Sequence, residues 1–174
     1  MNINIFFLAI LAGLLMIFLG FKPLDIKQQE FIDVPVFQLN SFTLHEFDDK
    51  SLVTLMKGAK GTRYADRYEV SNIDYTDNSK KYIANMRADN GLYRDIDDNV
   101  DLKGNVFYNR EDGLIFETQE ATYSKKTSIA KTRTSYVMHR GLNRATGSDL
   151  EYNNKTNKIK SKNIKINYKL KEKK

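Results

Sequence analysis

The sequence has no cysteine and only two histidines among its 174 residues. The absence of cysteine excludes disulfide bonds, thiolate metal sites and cysteine nucleophiles, so packing and strand pairing must stabilise the fold. The two histidines, His45 and His139, lie far apart in the sequence, which leaves a histidine-based metal site or catalytic triad poorly supplied. We therefore predict that the protein has no metal site and no cofactor.

Charge is unevenly divided along the chain. Residues 153–174 hold nine lysines and one acidic residue, Glu172, which makes the charge of this segment +8. The net charge of the chain is +6, which leaves −2 for residues 1–152. A nucleic-acid-binding face usually spreads arginine and lysine over a docking surface with aromatic residues among them, and this segment is almost all lysine. We therefore predict no nucleic-acid partner.

One long apolar run lies near the N-terminus. Residues 5–21 (IFFLAILAGLLMIFLGF) are 17 uncharged, mostly apolar residues, which as a helix would span roughly 26 Å, close to the hydrocarbon thickness of a bilayer. The run exceeds the usual apolar region of a signal peptide, and no A-x-A cleavage pattern follows it. An uncleaved, single-pass transmembrane anchor is therefore favoured over a cleaved signal peptide.

The segments around this run complete the N-terminal organisation. Residues 1–4 are predicted to form a short stub, and residues 22–35 (KPLDIKQQEFIDVP) a polar stalk. No lysine or arginine precedes the run, and Lys22 and Lys27 follow it, so the positive-inside rule does not fix the orientation. The short stub is compatible with translocation of the C-terminal part across the membrane.

Residues 36–170 are predicted to form one all-β domain, followed by a basic tail at 171–174. The apolar content of 41% suffices for one core but hardly for two. Alternating apolar runs such as GNVFYN and GLIFETQ favour antiparallel strands, and three turn signals lie between runs: Asn90-Gly91, Asp112-Gly113 and Asn153-Asn154. Only residues 52–56 (LVTLM) could form a short helical turn.

A weak repeat is also present. Tyr93, Tyr123 and Tyr152 are 30 and 29 residues apart, and each lies in a segment typical of strand, turn and strand. Such a repeat suits a jelly roll or a stacked sandwich built from similar hairpins. The alternative is chance, because tyrosine is common in strands.

Three segments, LKGNVFYN, GLIFETQEATY and GSDLEYNNKTNKIKSKNIKI, together with an N-terminal anchor and an all-β body, resemble the LptC family of lipopolysaccharide export. Related LptA and OstA domains share these β units, but the retained anchor with a single β domain is typical of LptC. The resemblance implies a bitopic protein of the inner (cytoplasmic) membrane whose periplasmic domain is a twisted β jelly roll, or open β-sandwich, of antiparallel strands.

The resemblance also implies a role and partners. The protein would accept lipopolysaccharide or lipooligosaccharide from the LptB-LptF-LptG transporter, which its N-terminal region would meet. It would pass the lipid to an LptA-type periplasmic bridge protein, with no catalysis of its own.

A lipid with several acyl chains needs an apolar trough, which an apolar inner face provides if two sheets splay apart. A closed core uses the same residue types, so the sequence leaves a lipid trough and a filled core as alternatives. The predicted inward-facing, lipid-binding residues are large apolar or aromatic residues of the strands: Tyr75, Ile83, Leu92, Leu102, Val106, Tyr108, Leu114, Phe116, Tyr123, Ile129, Leu150, Tyr152 and Ile159.

The predicted partner-binding residues lie in the outermost strands. The stretch NIKINYKL alternates apolar and polar residues, and an unpaired edge strand of this kind is a template for β-augmentation. The lysines beside it are interpreted as gatekeepers against unwanted pairing, or as groups that attract lipid phosphates and an acidic partner. The residues are Ile164, Ile166, Tyr168 and Leu170 for the LptA-type partner, and Val36, Phe37 and Leu39 for the transporter.

Two other functional classes compete with lipid export. A membrane-anchored Ser-Lys hydrolase needs neither histidine nor cysteine, and Ser124 stands beside Lys125, but there is no G-x-S-x-G motif and no convincing S-x-x-K motif. We therefore predict that the protein is not an enzyme. An envelope scaffold that binds only protein would use the same edge strand around a tightly filled interior.

Overall fold

The computed structural model describes Leu11 and residues 33–49, 51–79 and 81–169. The predicted anchor at 5–21 lies, except for Leu11, outside the described residues, as do the stub, most of the stalk, Leu170 and the tail. Within the described part of the chain, no helix is long and apolar enough to cross a membrane. Residues 32–174 group as one compact unit, to which all the strands belong.

Ten strands make up most of residues 33–169. They are rich in the aromatic and β-branched residues that favour extended structure, and every strand pair is antiparallel. The strands are β1 (Phe37–Phe47), β2 (Leu52–Arg63), β3 (Arg67–Asp77), β4 (Ala84–Arg94), β5 (Asn99–Arg110), β6 (Leu114–Ser124), β7 (Ile129–Thr132), β8 (Tyr136–Arg140), β9 (Asn143–Asn153) and β10 (Lys158–Asn167).

The strands form one sheet in which chain order and spatial order agree. β1 to β6 are consecutive neighbours, β7 and β8 both pair with β6 and β9, and β10 pairs with β9. The prediction of an all-β, antiparallel fold is confirmed. The jelly-roll connections are not present in the described sheet, because a jelly roll needs Greek-key crossovers and this sheet is a meander.

Three local predictions concern turns. Asp112-Gly113 lies in the β5–β6 turn and Asn153-Asn154 at the start of the β9–β10 turn, so both are confirmed. The turn predicted at Asn90-Gly91 is wrong, because both residues lie within β4. The helical turn considered at 52–56 is also wrong, because these residues open β2 and pair with β1 and β3.

Several strands change direction near their midpoints. Residues there adopt positive φ, which bends a strand locally, and Asn and Asp tolerate this conformation best. The pairing register also shifts near the strand midpoints between β4 and β5, between β5 and β6 and between β9 and β10. The non-glycine residues with positive φ inside strands are Ser41, Asn72, Asn105, Asp149 and Asn163.

The buried side chains are concentrated near the same strand midpoints. Ile73, Ala88, Leu102 and Val106 form a buried cluster, and half-buried side chains from both ends of the strands pack against it. We call the face of the sheet that carries this cluster the inner face. Towards the strand ends, side chains of this face are half-buried or exposed rather than enclosed.

Both halves of the strands pack against this cluster. Val70 and Val100 contact it from one half, and Tyr75 and Met86 contact it from the other half. Positive φ and the register shifts bend the strands where the cluster lies, and we call this level the bend. We call the apolar surface of the inner face, on both sides of the bend, the trough.

Candidate lipid-binding trough

One row of inner-face side chains crosses the entire sheet. Each strand except β7 contributes one residue to it. Every member is apolar or aromatic, and three are methionines, whose flexible side chains adapt to irregular apolar partners. Pairing in register places the members side by side. We call it the methionine row: Leu44, Met56, Tyr75, Met86, Tyr108, Phe116, Met138, Ala145 and Ile166.

A second row crosses the sheet near the opposite ends of the strands. It carries four tyrosines, which combine an apolar ring with a polar tip and so suit a boundary between an apolar interior and water. We call it the tyrosine row: Phe37, Arg63, Tyr68, Tyr93, Val100, Tyr123, Ala130, Tyr152 and Ile159.

Both rows end on exposed apolar side chains at the edges of the sheet. The methionine row ends at Leu44, 47% exposed, and Ile166, 60% exposed. The tyrosine row ends at Phe37, 46% exposed, and Ile159, 53% exposed. The apolar lining therefore does not stop before either edge strand.

The polar groups inside the trough are mostly neutral. Burial raises the pKa of Tyr75 and of Tyr108, so both phenols keep their protons at neutral pH. Three threonine hydroxyls, two of them on buried residues, lie beside the break between β7 and β8, where Thr118 Oγ1 is 3.0 Å from Thr132 Oγ1 and 2.9 Å from Thr134 Oγ1. The methionine row therefore has neutral hydroxyls and no charged member.

One cavity of about 280 Å³ lies at the β1 end of the trough, lined by Leu44, Met56 and Tyr75 of the methionine row with His45, Glu46 and Thr54. The Thr54 hydroxyl donates to Glu46 Oε2 at 2.7 Å and closes its polar side. This volume lies below the range of about 300–1,000 Å³ that is typical of small-molecule pockets. The open rows, rather than this cavity, therefore provide most of the apolar surface.

Most of the residues predicted to bind lipid lie on the inner face. Leu102, Val106 and Leu150 are buried near the bend, whereas the others are half-buried or, like Ile159, exposed. Their role in lipid binding stays a prediction. The inner-face residues of the predicted set are Tyr75, Leu102, Val106, Tyr108, Leu114, Phe116, Tyr123, Leu150, Tyr152 and Ile159.

Three members of that set lie elsewhere. Leu92 alternates with the inner-face Gly91 and Tyr93, and Ile129 precedes the inner-face Ala130, so both lie on the outer face. Ile83 precedes β4, and its carbonyl accepts the Glu111 N–H at 2.9 Å. These residues do not belong to the trough lining, because side-chain direction in a strand depends on register, which is set by pairing with the neighbouring strands.

The predicted partner-binding residues lie at the two edges, and their role likewise stays a prediction. Ile164 and Ile166 in β10 and Tyr168 just after it are at least half exposed, and Leu170 lies outside the described residues. Phe37 and Leu39 belong to the inner face of β1, and Val36 directly precedes this strand.

Two lysines near the β10 edge form ion pairs. Lys162 Nζ lies 2.9 Å from Asp149 Oδ2, and Lys131 Nζ lies 3.1 Å from Glu151 Oε2. Each lysine lowers the pKa of its carboxylate partner. The positive charge of this region is therefore partly compensated within the fold.

Sequence reasoning missed several trough residues, including Met56, Met86, Met138 and Arg63. Methionine has no strong strand preference, and arginine is usually assigned to a solvent face. The signal that could have identified them is their pairing with residues of a neighbouring strand that were predicted to face inwards. Met56 and Met86, for example, both pair with Tyr75.

The Ser-Lys pair considered from the sequence is divided between the two faces. Ser124 pairs with Asn99 and Ile129 on the outer face, whereas Lys125 Nζ lies 4.3 Å from the centroid of the inner-face Tyr93 ring. In the described part of the chain, no group of three or more His, Asp or Glu side chains is placed to hold a metal ion.

Comparison with known proteins complements this geometry. No curated protein matches the chain. The family model described as LptC, lipopolysaccharide-assembly, LptC-related, matches residues 5–169, which is nearly the whole sequence and includes all ten strands. The resemblance found in the sequence is therefore confirmed, and the chain belongs to the LptC-related family of lipopolysaccharide-assembly proteins, which take part in lipopolysaccharide transport.

Proposed function

We propose that this protein is a single-pass inner-membrane component whose periplasmic trough receives lipopolysaccharide from the LptB-LptF-LptG transporter and delivers it to an LptA-type bridge protein. Residues 5–21 serve as the anchor. The reaction class is non-covalent transfer, and the protein contributes an apolar path with no catalytic step.

The observation that carries this proposal is the continuity of the methionine row from one sheet edge to the other. Acyl chains gain about 25 cal/mol for each square ångström of apolar surface removed from water, without needing directional contacts. A row that reaches both edges offers this gain at every position. Lipid can therefore move along it without crossing a polar barrier.

The edge strands give this path an entrance and an exit. β10 is paired only with β9, and its row members Ile159 and Ile166 are exposed. Addition of a partner strand to β10 satisfies its free backbone groups and extends both rows into the partner. β1, which follows the N-terminal segment, meets the transporter in the same way.

A scaffold that binds only protein is less well supported by the packing. Such a domain needs a filled interior, whereas Ile73, Ala88, Leu102, Val106, Tyr136 and Leu150 are the buried hydrophobic residues of the described part of the chain. Most inner-face side chains toward the strand ends are half-buried. An interior that is open on both sides of the bend suits a ligand that binds transiently.

Site-specific photocrosslinking tests the trough. A photoreactive residue at Phe116 or Tyr123 should capture lipopolysaccharide in cells, because both positions are on the inner face. The matched control is Glu117, the neighbour of Phe116 on the outer face, which should not capture it. Protein adducts alone at Phe116 and Tyr123 would favour the scaffold instead.

Truncation tests the exit. Removal of residues 163–174 should abolish binding to the bridge protein and leave the rest of the sheet folded, as measured by pull-down and circular dichroism. Ile166→Asp should weaken the interaction through the inner face, and Lys165→Asp, on the outer face of the same strand, is its control. Undiminished binding by the truncated protein would contradict the assignment of β10.

A further inference from the structure

An unusual stack lies at one end of the tyrosine row. The Tyr68 and Tyr93 rings are neighbours, with centroids 5.9 Å apart and planes inclined by 41°. The Arg63 guanidinium carbon lies 4.5 Å from the centroid of Tyr68, and Lys125 Nζ lies 4.3 Å from that of Tyr93. We call this arrangement the rim stack: cation, ring, ring and cation, on β2, β3, β4 and the β6–β7 turn.

The rim stack lies at the boundary of the trough. Arg63, Tyr68 and Tyr93 are consecutive members of the tyrosine row, and each lies at or next to the end of its strand, beside a connection. The next row towards the bend contains Val70, Gly91 and Leu102, which are apolar. Two cations therefore stand where an apolar surface meets water.

Neither cation is neutralised by an ion pair. Among the described residues, no carboxylate oxygen lies within ion-pairing distance of Arg63 or Lys125, while Asp98 pairs with Lys126 at 3.8 Å and Asp97 with Arg94 at 3.2 Å. Asp97 and Asp98, in the β4–β5 turn, are thus engaged with other cations. A guanidinium packed on a ring keeps its in-plane N–H groups available, and these fit the oxygens of a phosphate.

Arg67 offers a comparison within the same sheet, because its guanidinium is engaged by carboxylates of the protein itself. Its guanidinium also stacks on a tyrosine, 4.0 Å from the centroid of Tyr64, but it binds the carboxylates of Asp33, Asp66 and Glu69 at 2.8–3.0 Å. Hydrogen bonds to Glu69 and Asp33 raise the pKa of Arg67. Arg63 has the ring without the carboxylates, so its donors remain for a ligand.

We propose that the rim stack is an anion subsite in which Arg63 and Lys125, at opposite ends of the two rings, each bind a phosphate group of the amphiphile whose acyl chains lie in the trough. This inference rests on the proposed function, since the trough supplies the second half of the recognition. Apolar rows alone bind any acyl chain, whereas two cations at the rim select a phosphorylated head group and fix its depth.

Calorimetric titration of the full chain in nonionic detergent micelles tests the subsite. The probes are lipopolysaccharide, the same lipopolysaccharide after removal of its phosphates, and inorganic phosphate. The wild type should bind the phosphorylated form about tenfold more tightly, and Arg63→Gln should remove most of this preference while leaving affinity for the dephosphorylated form unchanged. The preference should also shrink as salt is added.

Two further variants keep the test informative. Lys125→Gln lies on an exposed turn, so it probes the subsite even if Arg63→Gln folds poorly, and should reduce the preference about threefold. Arg87→Gln removes the same charge as Arg63→Gln from the outer face of β4, where Arg87 pairs with Asp74, and should leave the preference intact.

The outcomes separate the subsite from the trough. Equal affinity of the wild type for both lipid forms would overturn the subsite and leave the proposed function standing. A preference that survives in Arg63→Gln and Lys125→Gln together would also overturn it. Inorganic phosphate that competes at the affinity of the lipid would assign the cations to a free anion instead, and failure to bind either lipid would overturn both proposals.

Discussion

Tyr136 is the most deeply buried large side chain among the described residues, at 2% exposure. Its ring stacks on Phe116 with centroids 5.6 Å apart, and its hydroxyl lies 2.8 Å from Ser161 Oγ in β10. Gly147, in register with Tyr136, leaves the space that the phenol occupies. This contact holds the edge strand to the body of the sheet.

Gly147→Ala should therefore destabilise the protein. The added Cβ would lie 2.8 Å from the Tyr136 hydroxyl and 3.0 Å from the Lys162 carbonyl oxygen, and overpacking of this kind typically costs about 1–3 kcal/mol. Urea unfolding measures the change. The control is Gly91→Ala, whose Cβ would meet side chains at 3.5 Å or more and should change stability by less than about 1 kcal/mol. Equal effects of the two variants would contradict this account.

Asp112 stabilises the β5–β6 turn through two arginines. Its carboxylate binds Arg110 at 2.7 Å and Arg140 at 3.0 Å, and only 8% of its side chain is exposed. The hydrogen bond from Arg110 is the main cause that lowers the pKa of Asp112 from 3.8 to about 2. The ionised carboxylate is thus favoured in the folded state.

This shift predicts a pH dependence of stability. A carboxylate whose pKa is lowered by folding stabilises the fold fully above its unfolded pKa, and this contribution is lost as the pH falls through the folded pKa. Asp112→Asn should therefore be less stable than the wild type above pH 3.8, and the difference should diminish as the pH falls towards 2. Thermal unfolding at several pH values measures it. A difference that grows on acidification would contradict the prediction.

Three hairpins explain the tyrosine repeat at the level of elements. After Tyr93, Tyr123 and Tyr152, the chain turns within a few residues, and each turn ends on a residue with positive φ: Asp98, Ser128 or Asn157. The Tyr93 hydroxyl donates to Asp98 Oδ1 at 2.8 Å, and the Tyr152 hydroxyl donates to Asn157 Oδ1 at 2.9 Å. The repeat thus marks one kind of hairpin used three times.

The middle hairpin has a serine where the others have a longer side chain. Ser128→Asn should stabilise the protein by about 0.5–1 kcal/mol, because Asn tolerates positive φ and can accept a hydrogen bond from Tyr123. The measurement is the midpoint of thermal unfolding. Tyr123→Phe in the same background should remove part of the gain, and a gain that is unaffected would assign it to the backbone alone.

The two segments whose conformation was predicted wrongly from the sequence share one cause of error. Asn90-Gly91 has the residues of a tight turn, but it lies in β4, where Gly91 pairs with Val70 and Leu102. Residues 52–56 form a short apolar run, and periodicity alone cannot distinguish a strand from a helical turn over such a length. In both cases pairing with the strands on either side decided the conformation.

At the scale of the whole molecule, stability is unevenly distributed. β5 contains the buried Leu102 and Val106 and pairs on both sides, whereas β10 has no buried residue and pairs only with β9. Local opening requires little free energy where few apolar contacts and one ladder of hydrogen bonds must break. The edge that is proposed to receive a partner is thus also a region of low local stability.

Hydrogen exchange should reveal this gradient. Amides of β10 should exchange about tenfold faster than those of β5 under native conditions, because they open without disrupting the buried cluster. Mass spectrometry of proteolytic peptides measures both. Addition of the bridge protein should slow exchange in β10 selectively, and equal protection of β5 and β10 in the free protein would contradict the gradient.

The sequence by itself determined the antiparallel all-β class, two of the three turns and the family, because alternation, turn residues and β-unit motifs are local properties. Only the tertiary structure decided that the strands form one bent meander, that Leu92 and Ile129 face outwards, and that Met56 and Arg63 face inwards. The physical reason is that a register shift of one residue reverses every side chain of a strand, and register is set by pairing with the neighbouring strands and not by the residues of the strand itself.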